Sequence, residues 1–348
     1  MKEFRISFVV TAVCLGVAAW WGHNSGMGLW QALWICAVLA ILEVSLSFDN
    51  AVVNAGVLKH MDEFWRQMFL TVGIVIAVFG MRLVFPIVIV AVATGQGPVP
   101  VMEMALTRPD DYSRVLTDNY PTIAAFGGMF LLLVFLNFLF DKDRDLHWLG
   151  AAERLAGSLG KADAMSVIVA VAVLMSTKLF LPVAVFHDVL FAGIAGILLF
   201  LLVDSIDALF EPDEAEGEGQ GGSSLGPAKR SGLAAFMYLE VLDASFSFDG
   251  VIGAFAITRD VVIIMLGLAI GAMFVRSMTV YLVNKGTLDQ FVFLEHGAHY
   301  AIGVLAIIML IGTVQHVPEV LTGLIGVAFI AASVWSSIRY RKKQEAAA

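Results

Sequence analysis

ILEVSLSFDN at positions 41–50 and YLEVLDASFSFDG at positions 238–250 are two copies of one acidic phrase. Both copies lie inside long apolar runs, where an ionisable side chain is expensive and marks a functional site by default. The copies align on the shared Ser-x-Ser-Phe-Asp. The aligned pairs are Glu43 and Asp243, Ser45 and Ser245, Ser47 and Ser247, and Asp49 and Asp249, with Glu240 extra in the second copy. The repeat predicts one polar site built from two related halves.

The composition is typical of a polytopic membrane protein. Of the 348 residues, 59% are hydrophobic and 15% are charged, which is less charge than a soluble chain of this length carries. Runs of about 20 apolar residues suit membrane-spanning helices. The sequence predicts an all-α fold with about ten such spans, near 5–22, 29–57, 67–93, 122–140, 165–186, 189–210, 232–257, 261–284, 293–313 and 319–338.

The basic residues predict an orientation for these spans. With a cytoplasmic N-terminus, most of the 21 lysines and arginines fall in inside segments, and only Arg108, Arg114, Lys178 and Arg259 fall outside. Because cytoplasmic loops carry the excess of Lys and Arg, both termini are expected in the cytoplasm. The charge is not gathered into a basic patch, so nucleic acid is not an expected partner. The expected partner is the lipid bilayer, and self-association into a homo-oligomer stays open.

Two polar segments and one linker separate the spans. Segment 94–121 is expected to form an irregular lid or vestibule on the outside, and HWLGAAERLAGSLG at 147–160 is expected to form a helix at the cytoplasmic interface. Segment 211–231 is rich in Glu, Gly and Ser, which predicts a flexible cytoplasmic linker. The chain then divides into an N-terminal half at 1–210, which holds spans two to six, and a C-terminal half at 232–348.

The acidic phrases fall in spans two and seven. These two spans are five places apart in the order, and because this number is odd they must cross the membrane in opposite directions. This is an inverted-topology repeat, in which substrate sites form near the midplane at the repeat interface. The following helix in each copy carries one arginine, Arg82 or Arg276, so spans two to four and seven to nine form the repeats. We expect the two phrases to cross antiparallel with Asp49 facing Asp249, and we expect Arg82 to pair with a motif carboxylate.

The polar side chains of the phrases are all oxygen donors. They comprise the carboxylates of Glu43, Asp49, Glu240, Asp243 and Asp249, the amide of Asn50, and the hydroxyls of Ser45, Ser47, Ser245 and Ser247. Oxygen-only sites favour hard cations such as Mg²⁺, Ca²⁺ and Mn²⁺. A regular helix would not point Glu43 and Asp49 the same way, so a local break near Ser47–Asp49 is expected. Protons displaced by an incoming cation would give a route to cation/proton antiport.

Other readings stay open. A zwitterion such as an amino acid would need an apolar pocket and a cation for its carboxylate, which Arg82 could supply. The acids could also serve as interhelical hydrogen-bonding groups in a membrane scaffold or insertion partner. In the group Glu295, His296 and His299, the spacing of the two histidines permits shared metal contact, although the pattern favours histidines whose hydrogen bonds are satisfied at an interface. No nucleophile–base pair or cofactor motif is apparent in the sequence, so an enzyme is not expected, and no tightly bound cofactor is expected.

Glu43-x-x-x-Ser47-x-Asp49-Asn50 resembles the signature of the TerC/Alx family of integral membrane proteins, within the LysE-type transporter superfamily. The second copy, Glu240-x-x-Asp243-x-x-Phe246-Ser247-x-Asp249, resembles that family's second signature, with Gly250 in place of Asn or Ser. The resemblance implies an inner-membrane transporter associated with manganese export. It makes Glu43, Asp49, Asn50, Glu240, Asp243 and Asp249 the candidate metal residues, with Mn²⁺ as substrate.

Overall fold

The computed structural model describes residues 2–142, 144, 146–159, 164–210, 232–315 and 317–347. Within these ranges the chain is helical and forms no strand, so the all-α polytopic fold expected from the sequence is confirmed. The expected linker at 211–231 lies outside the described residues.

The α-helices follow one another in chain order with short connections. They are α1 Arg5–Asn24, α2 Leu29–Leu46, α3 Phe48–Leu58, α4 Glu63–Met68, α5 Phe85–Thr94, α6 Pro98–Thr107, α7 Pro109–Asp118, α8 Tyr120–Leu139, α9 Ala151–Leu159, α10 Met165–Ser176, α11 Val183–Phe210, α12 Gly232–Ile257, α13 Val261–Asn284, α14 Thr287–Gln290, α15 Leu294–Gly312 and α16 Glu319–Ala347. Two π-helical segments, π1 Phe69–Gly73 and π2 Ile76–Val84, lie between α4 and α5.

Eight helices in the described ranges are long and apolar enough to cross a membrane. They cover Arg5–Asn24, Leu29–Leu46, Ile76–Thr94, Tyr120–Leu139, Val183–Ser205, Val261–Asn284, Leu294–Gly312 and Leu321–Ala346. Two of the ten expected spans are missing from this set. The fifth is a shorter apolar helix, Met165–Leu179, and the seventh, α12, carries three carboxylates along its 26 residues.

The predictions for two loops are wrong. The connection placed at 186–188 lies inside α11, and the chain turns at Phe180–Pro182 instead. The physical reason is Pro182, which disfavours a helical conformation at Leu181 and whose carbonyl accepts the first bond of the next helix from Phe186 N at 2.9 Å. Segment 94–121 is not irregular either: it forms α6 and α7, each with proline in its first turn, where a missing N–H is tolerated.

Aspartate caps fix the starts of two other helices. Asp62 accepts a hydrogen bond from Trp65 N at 3.0 Å at the start of α4. Asp260 accepts from two backbone N–H groups of the first turn of α13 and also from Trp21 Nε1 at 2.8 Å. Side-chain oxygens at this position satisfy N–H groups that have no partner within the helix. The second cap therefore also ties α13 to the end of α1.

The third helices of the two repeats, α8 and α15, pack against each other in the interior. Phe130, Leu131 and Leu133 of α8 are fully buried. A Cβ at Gly128 would lie 3.3 Å from Met309 Cβ and 3.4 Å from the Ala306 carbonyl oxygen. Small residues allow this close approach of helices, as is typical of membrane interfaces. Around this pair, α11 packs against α8, α2 against α13, and α12 against π2 and both parts of the first acidic phrase.

Candidate functional site

The first acidic phrase is interrupted at Ser47. Helix α2 ends at Leu46, α3 begins at Phe48, and Ser47 between them has φ −107° and ψ 17°. The Ser47 hydroxyl donates to Glu43 Oε1 at 3.2 Å. The break expected near Ser47–Asp49 is therefore present in the first copy. The second copy has no such break, and α12 runs continuously through Gly232–Ile257.

The two phrases cross in antiparallel directions. Asn50 Nδ2 donates to Asp243 Oδ1 at 2.6 Å, and a Cβ built on Gly250 would lie 2.6 Å from Glu43 Oε2. Glu43 thus lies opposite Gly250, and Asn50, seven residues later in the first phrase, lies opposite Asp243, seven residues earlier in the second. The two phrases therefore run in opposite directions. The midpoint of this register falls beside the break at Ser47. The inverted orientation expected from the repeat is present in the structure.

Asp49 and Asp249 do not face each other, and that expectation is wrong. In an antiparallel pair only residues at the crossing point meet their own counterparts, and this register places Asp49 level with Ala244. Asp49 lies beside α16, where a Cβ on Gly326 would be 3.7 Å from Asp49 Oδ2. Asp249 Oδ1 accepts a hydrogen bond from the Tyr120 hydroxyl at 3.2 Å at the start of α8.

Arg82 neutralises the acid of the first copy. Its Nη2 donates to Glu43 Oε1 in an ion pair whose side chains are 3% and 1% exposed, and its Nη1 donates to the Ala77 carbonyl at 2.5 Å. The guanidinium also interacts electrostatically with Asp243 of the second copy. The expected pairing of Arg82 with a motif carboxylate is thus present, and its partner is Glu43.

Arg276 makes contacts of a different kind. Its Nε and Nη2 donate to the Leu70 carbonyl at 3.1 and 2.7 Å rather than to a motif carboxylate. Leu70 belongs to π1 and Ala77 to π2, so each arginine of the repeats donates to a carbonyl of the π-helical part of span three. Such wide turns are rare and frequently occur at functional sites.

Several buried oxygens at the crossing have no hydrogen-bond partner. In the part of the chain that the structure describes, these are Asn50 Oδ1, Asn54 Oδ1, Ser247 Oγ and both oxygens of Glu240. Asn54 lies one helical turn beyond Asn50, and Glu240 lies one turn before Asp243, so the antiparallel register brings the two to the same level. Burying polar atoms without partners is unfavourable, so a cluster of such atoms at one place marks a position where a polar ligand or water could bind.

Asn54 was missed by the sequence reasoning. Its side chain is 3% exposed, and it follows Asn50 at a spacing of one helical turn in DNAVVN. That spacing places both amides on one face of α3. The signal was therefore available just after the end of the repeated phrase.

A cavity of about 40 Å³, partly open to the outside of the protein, lies beside this cluster. Its polar lining comes from Ser47, Asn54, Arg82, Asp243, Arg276 and Thr279. The rest of the lining is apolar and belongs to π1, π2 and α13. Gly73 of π1 allows Glu240 to approach this wall, since a Cβ there would clash with Glu240 Oε1.

The other serines of the phrases bond to their own helices. Ser45 Oγ donates to the Ile41 carbonyl at 2.8 Å, and Ser245 Oγ donates to the Val241 carbonyl at 2.9 Å. Nothing in these contacts directs either hydroxyl toward the crossing. Across the described residues, no group of three or more His, Cys, Asp or Glu side chains lies close enough to hold a metal ion in this arrangement.

The histidines of α15 form a separate cluster with α9. His296 Nε2 lies 3.0 Å from the Leu146 carbonyl and 3.8 Å from Glu153 Oε2, and Glu153 Oε1 accepts from the Tyr300 hydroxyl at 2.8 Å. His299 stacks on Phe138, with ring centroids 3.9 Å apart. The Arg144 guanidinium also lies over this ring, and burial lowers the pKa of Arg144. These contacts tie α9, which forms where an interfacial helix was expected, to α15 and α8.

No curated protein and no solved structure matches this chain. One family model matches residues 48–344, which covers both α3 and the whole second copy of the phrase. The chain therefore belongs to the family described as "Protein of unknown function (DUF475)".

Proposed function

We propose that this multi-pass membrane protein transports divalent metal cations, with Mn²⁺ as the first candidate, through the crossing of α2–α3 with α12. The observation that carries the proposal is the set of unpartnered buried oxygens on Asn50, Asn54 and Glu240. The carboxylates of Glu240 and Asp243 come from one repeat and the amide oxygens of Asn50 and Asn54 from the other, and all four belong to the two helices that cross there. Hard divalent cations take this kind of ligand.

The arrangement also suits transport better than permanent binding. A break at Ser47, an adjoining cavity and a π-helical wall all lie at the crossing, and irregular helices around a midplane site are typical of transporters. The resemblance to the TerC/Alx family supports Mn²⁺ and export. With the positive-inside pattern, it supports a bacterial inner membrane with both termini in the cytoplasm.

A second candidate is transport of a small zwitterion such as an amino acid. One observation favours it: the cavity combines an apolar wall with Arg82, Arg276 and Asp243, and such a lining would hold a carboxylate and an ammonium group together. A scaffold role fits the bonds Asn50–Asp243 and Glu43–Arg82. It gives no reason for the two unpartnered oxygens of Glu240, because a purely structural acid should be paired.

Flux into proteoliposomes tests the three readings with one protein preparation. Mn²⁺, Mg²⁺, Ca²⁺ and a panel of amino acids would each be supplied outside, with Asp243→Asn as the inactive comparison. Metal flux that Asp243→Asn abolishes supports the cation reading. Amino-acid flux without metal flux supports the second candidate. The absence of any flux by a protein that unfolds cooperatively on heating would leave only the scaffold.

A further inference from the structure

Arg82 places a permanent positive charge beside carboxylates that the proposed cation would need. Its side chain is 5% exposed, it forms an ion pair with Glu43, and it interacts with Asp243 on the other repeat. Glu43 and Asp243 are counterparts in the two phrases. The guanidinium therefore pairs directly with the acid of one half and attracts the acid of the other.

The anchoring of Arg82 leaves it able to exchange partners. One of its nitrogens is held by the Ala77 carbonyl in the π-helical segment, five residues earlier in the chain. Its Nε has no partner in the described part of the structure. Arg82 also lines the partly open cavity, so free space adjoins its side chain.

We propose that Arg82 is a tethered competitor of the transported cation. In the empty site its guanidinium pairs with the carboxylates, and it must swing into the cavity before a divalent cation can bind. This inference rests on the proposed function. Two like charges a few ångströms apart in a poorly hydrated site repel strongly, so Arg82 and the ion cannot both be held by the Glu43 and Asp243 carboxylates. The competition would reduce the negative charge of the empty site and would return Glu43 to Arg82 when the ion leaves.

The first test compares charge-removing and charge-keeping variants by Mn²⁺ binding to the purified full-length protein. Removing the charge in Arg82→Gln should tighten Mn²⁺ binding by about tenfold or more and slow release, so that flux in proteoliposomes falls while affinity rises. Arg82→Lys retains the competitor and should bind Mn²⁺ within about threefold of the unmodified protein. Arg259→Gln, which removes an exposed arginine paired with Asp110, is the matched control and should change neither quantity.

A second test leaves Arg82 unchanged and does not depend on the folding of an Arg82 variant. Phenylglyoxal labels accessible guanidinium groups, and mass spectrometry of the peptide holding Arg82 measures the labelled fraction. Mn²⁺ should increase labelling of Arg82 by moving it into the open cavity, and Asp243→Asn should abolish the increase. Protection of Arg82 by Mn²⁺, or equal labelling with and without it, would contradict the competition.

The outcomes distinguish a failure of the Arg82 competition from a failure of the proposed transport function. Mn²⁺ binding and flux that Arg82→Gln weakens would overturn the competitor and leave the transporter standing. A folded protein that neither binds nor moves Mn²⁺, in unmodified form and in every variant, would overturn both. Tighter binding with slower flux in Arg82→Gln alone supports both.

Discussion

Gly250 faces the Glu43 carboxylate in the position that Asn50 takes opposite Asp243. The inverted repeat makes these two contacts equivalent, because Glu43 corresponds to Asp243 and Asn50 to Gly250. One contact is a hydrogen bond of 2.6 Å between an amide and a short acid. The other is a close approach of a longer acid to a bare backbone, with 2.6 Å between Glu43 Oε2 and the place of a Cβ. The departure of Gly250 from the repeated phrase thus makes room for the Glu43–Arg82 pair.

The substitution Gly250→Asn, which restores the repeat, should therefore lower the stability of the folded protein. The new side chain would enter the volume of the Glu43 carboxylate, and overpacking of this kind costs about 1–3 kcal/mol. The melting temperature in detergent should fall by several degrees, and Gly250→Ala should have a smaller effect in the same direction. Gly56→Ala is the control, since nothing lies within 4 Å of a Cβ there, and it should not lower the melting temperature. A Gly250→Asn protein as stable as the original would show that this close approach does not constrain the crossing.

Glu240→Gln should stop cation flux without lowering stability. Neither carboxylate oxygen has a hydrogen-bond partner among the described residues, so removing the charge breaks no ion pair and relieves an unfavourable burial. Flux and melting temperature would be measured on the same purified protein. Glu153→Gln is the matched control, because this buried acid lies outside the site and accepts bonds from Tyr300 and Leu149. It should lower the melting temperature and leave flux per folded molecule unchanged, and the reverse pattern would contradict the assignment of Glu240.

Asp49→Asn and Asp249→Asn should each abolish divalent-cation flux while the protein remains folded. Asparagine keeps the shape and much of the hydrogen bonding of aspartate but removes the charge that attracts the ion. Because the two acids contact different helices, α16 through Gly326 and α8 through Tyr120, each variant tests a separate approach to the crossing. Mn²⁺ flux normalised to the amount of folded protein is the measurement. Full flux in both variants would remove these acids from the ion path.

Sequence reasoning succeeded where local chemistry decides the structure. The inverted orientation of the phrases, the break at Ser47 and the pairing of Arg82 were predicted correctly, since each follows from residue type and spacing. The prediction that Asp49 faces Asp249 failed because alignment identifies equivalent residues. Contact across an antiparallel crossing depends instead on the distance of each residue from the crossing point. The partners of Arg276 could not be foreseen either. Its bonds to the Leu70 carbonyl require the π-helical geometry of span three, which apolar periodicity does not distinguish from an ordinary helix.

Asn54 provides a test in which the site should gain affinity rather than lose it. Its buried Oδ1 has no partner in the described structure, and the register sets it at the level of Glu240. Asn54→Asp keeps the size and the oxygen and adds a negative charge, so Mn²⁺ binding should tighten by about tenfold. Asn54→Leu, which removes the oxygen at similar volume, should weaken binding. Asn24→Asp at the exposed end of α1 is the charge-matched control and should leave affinity unchanged. Equal affinities for all three variants would show that the unpartnered oxygen of Asn54 does not face the ion.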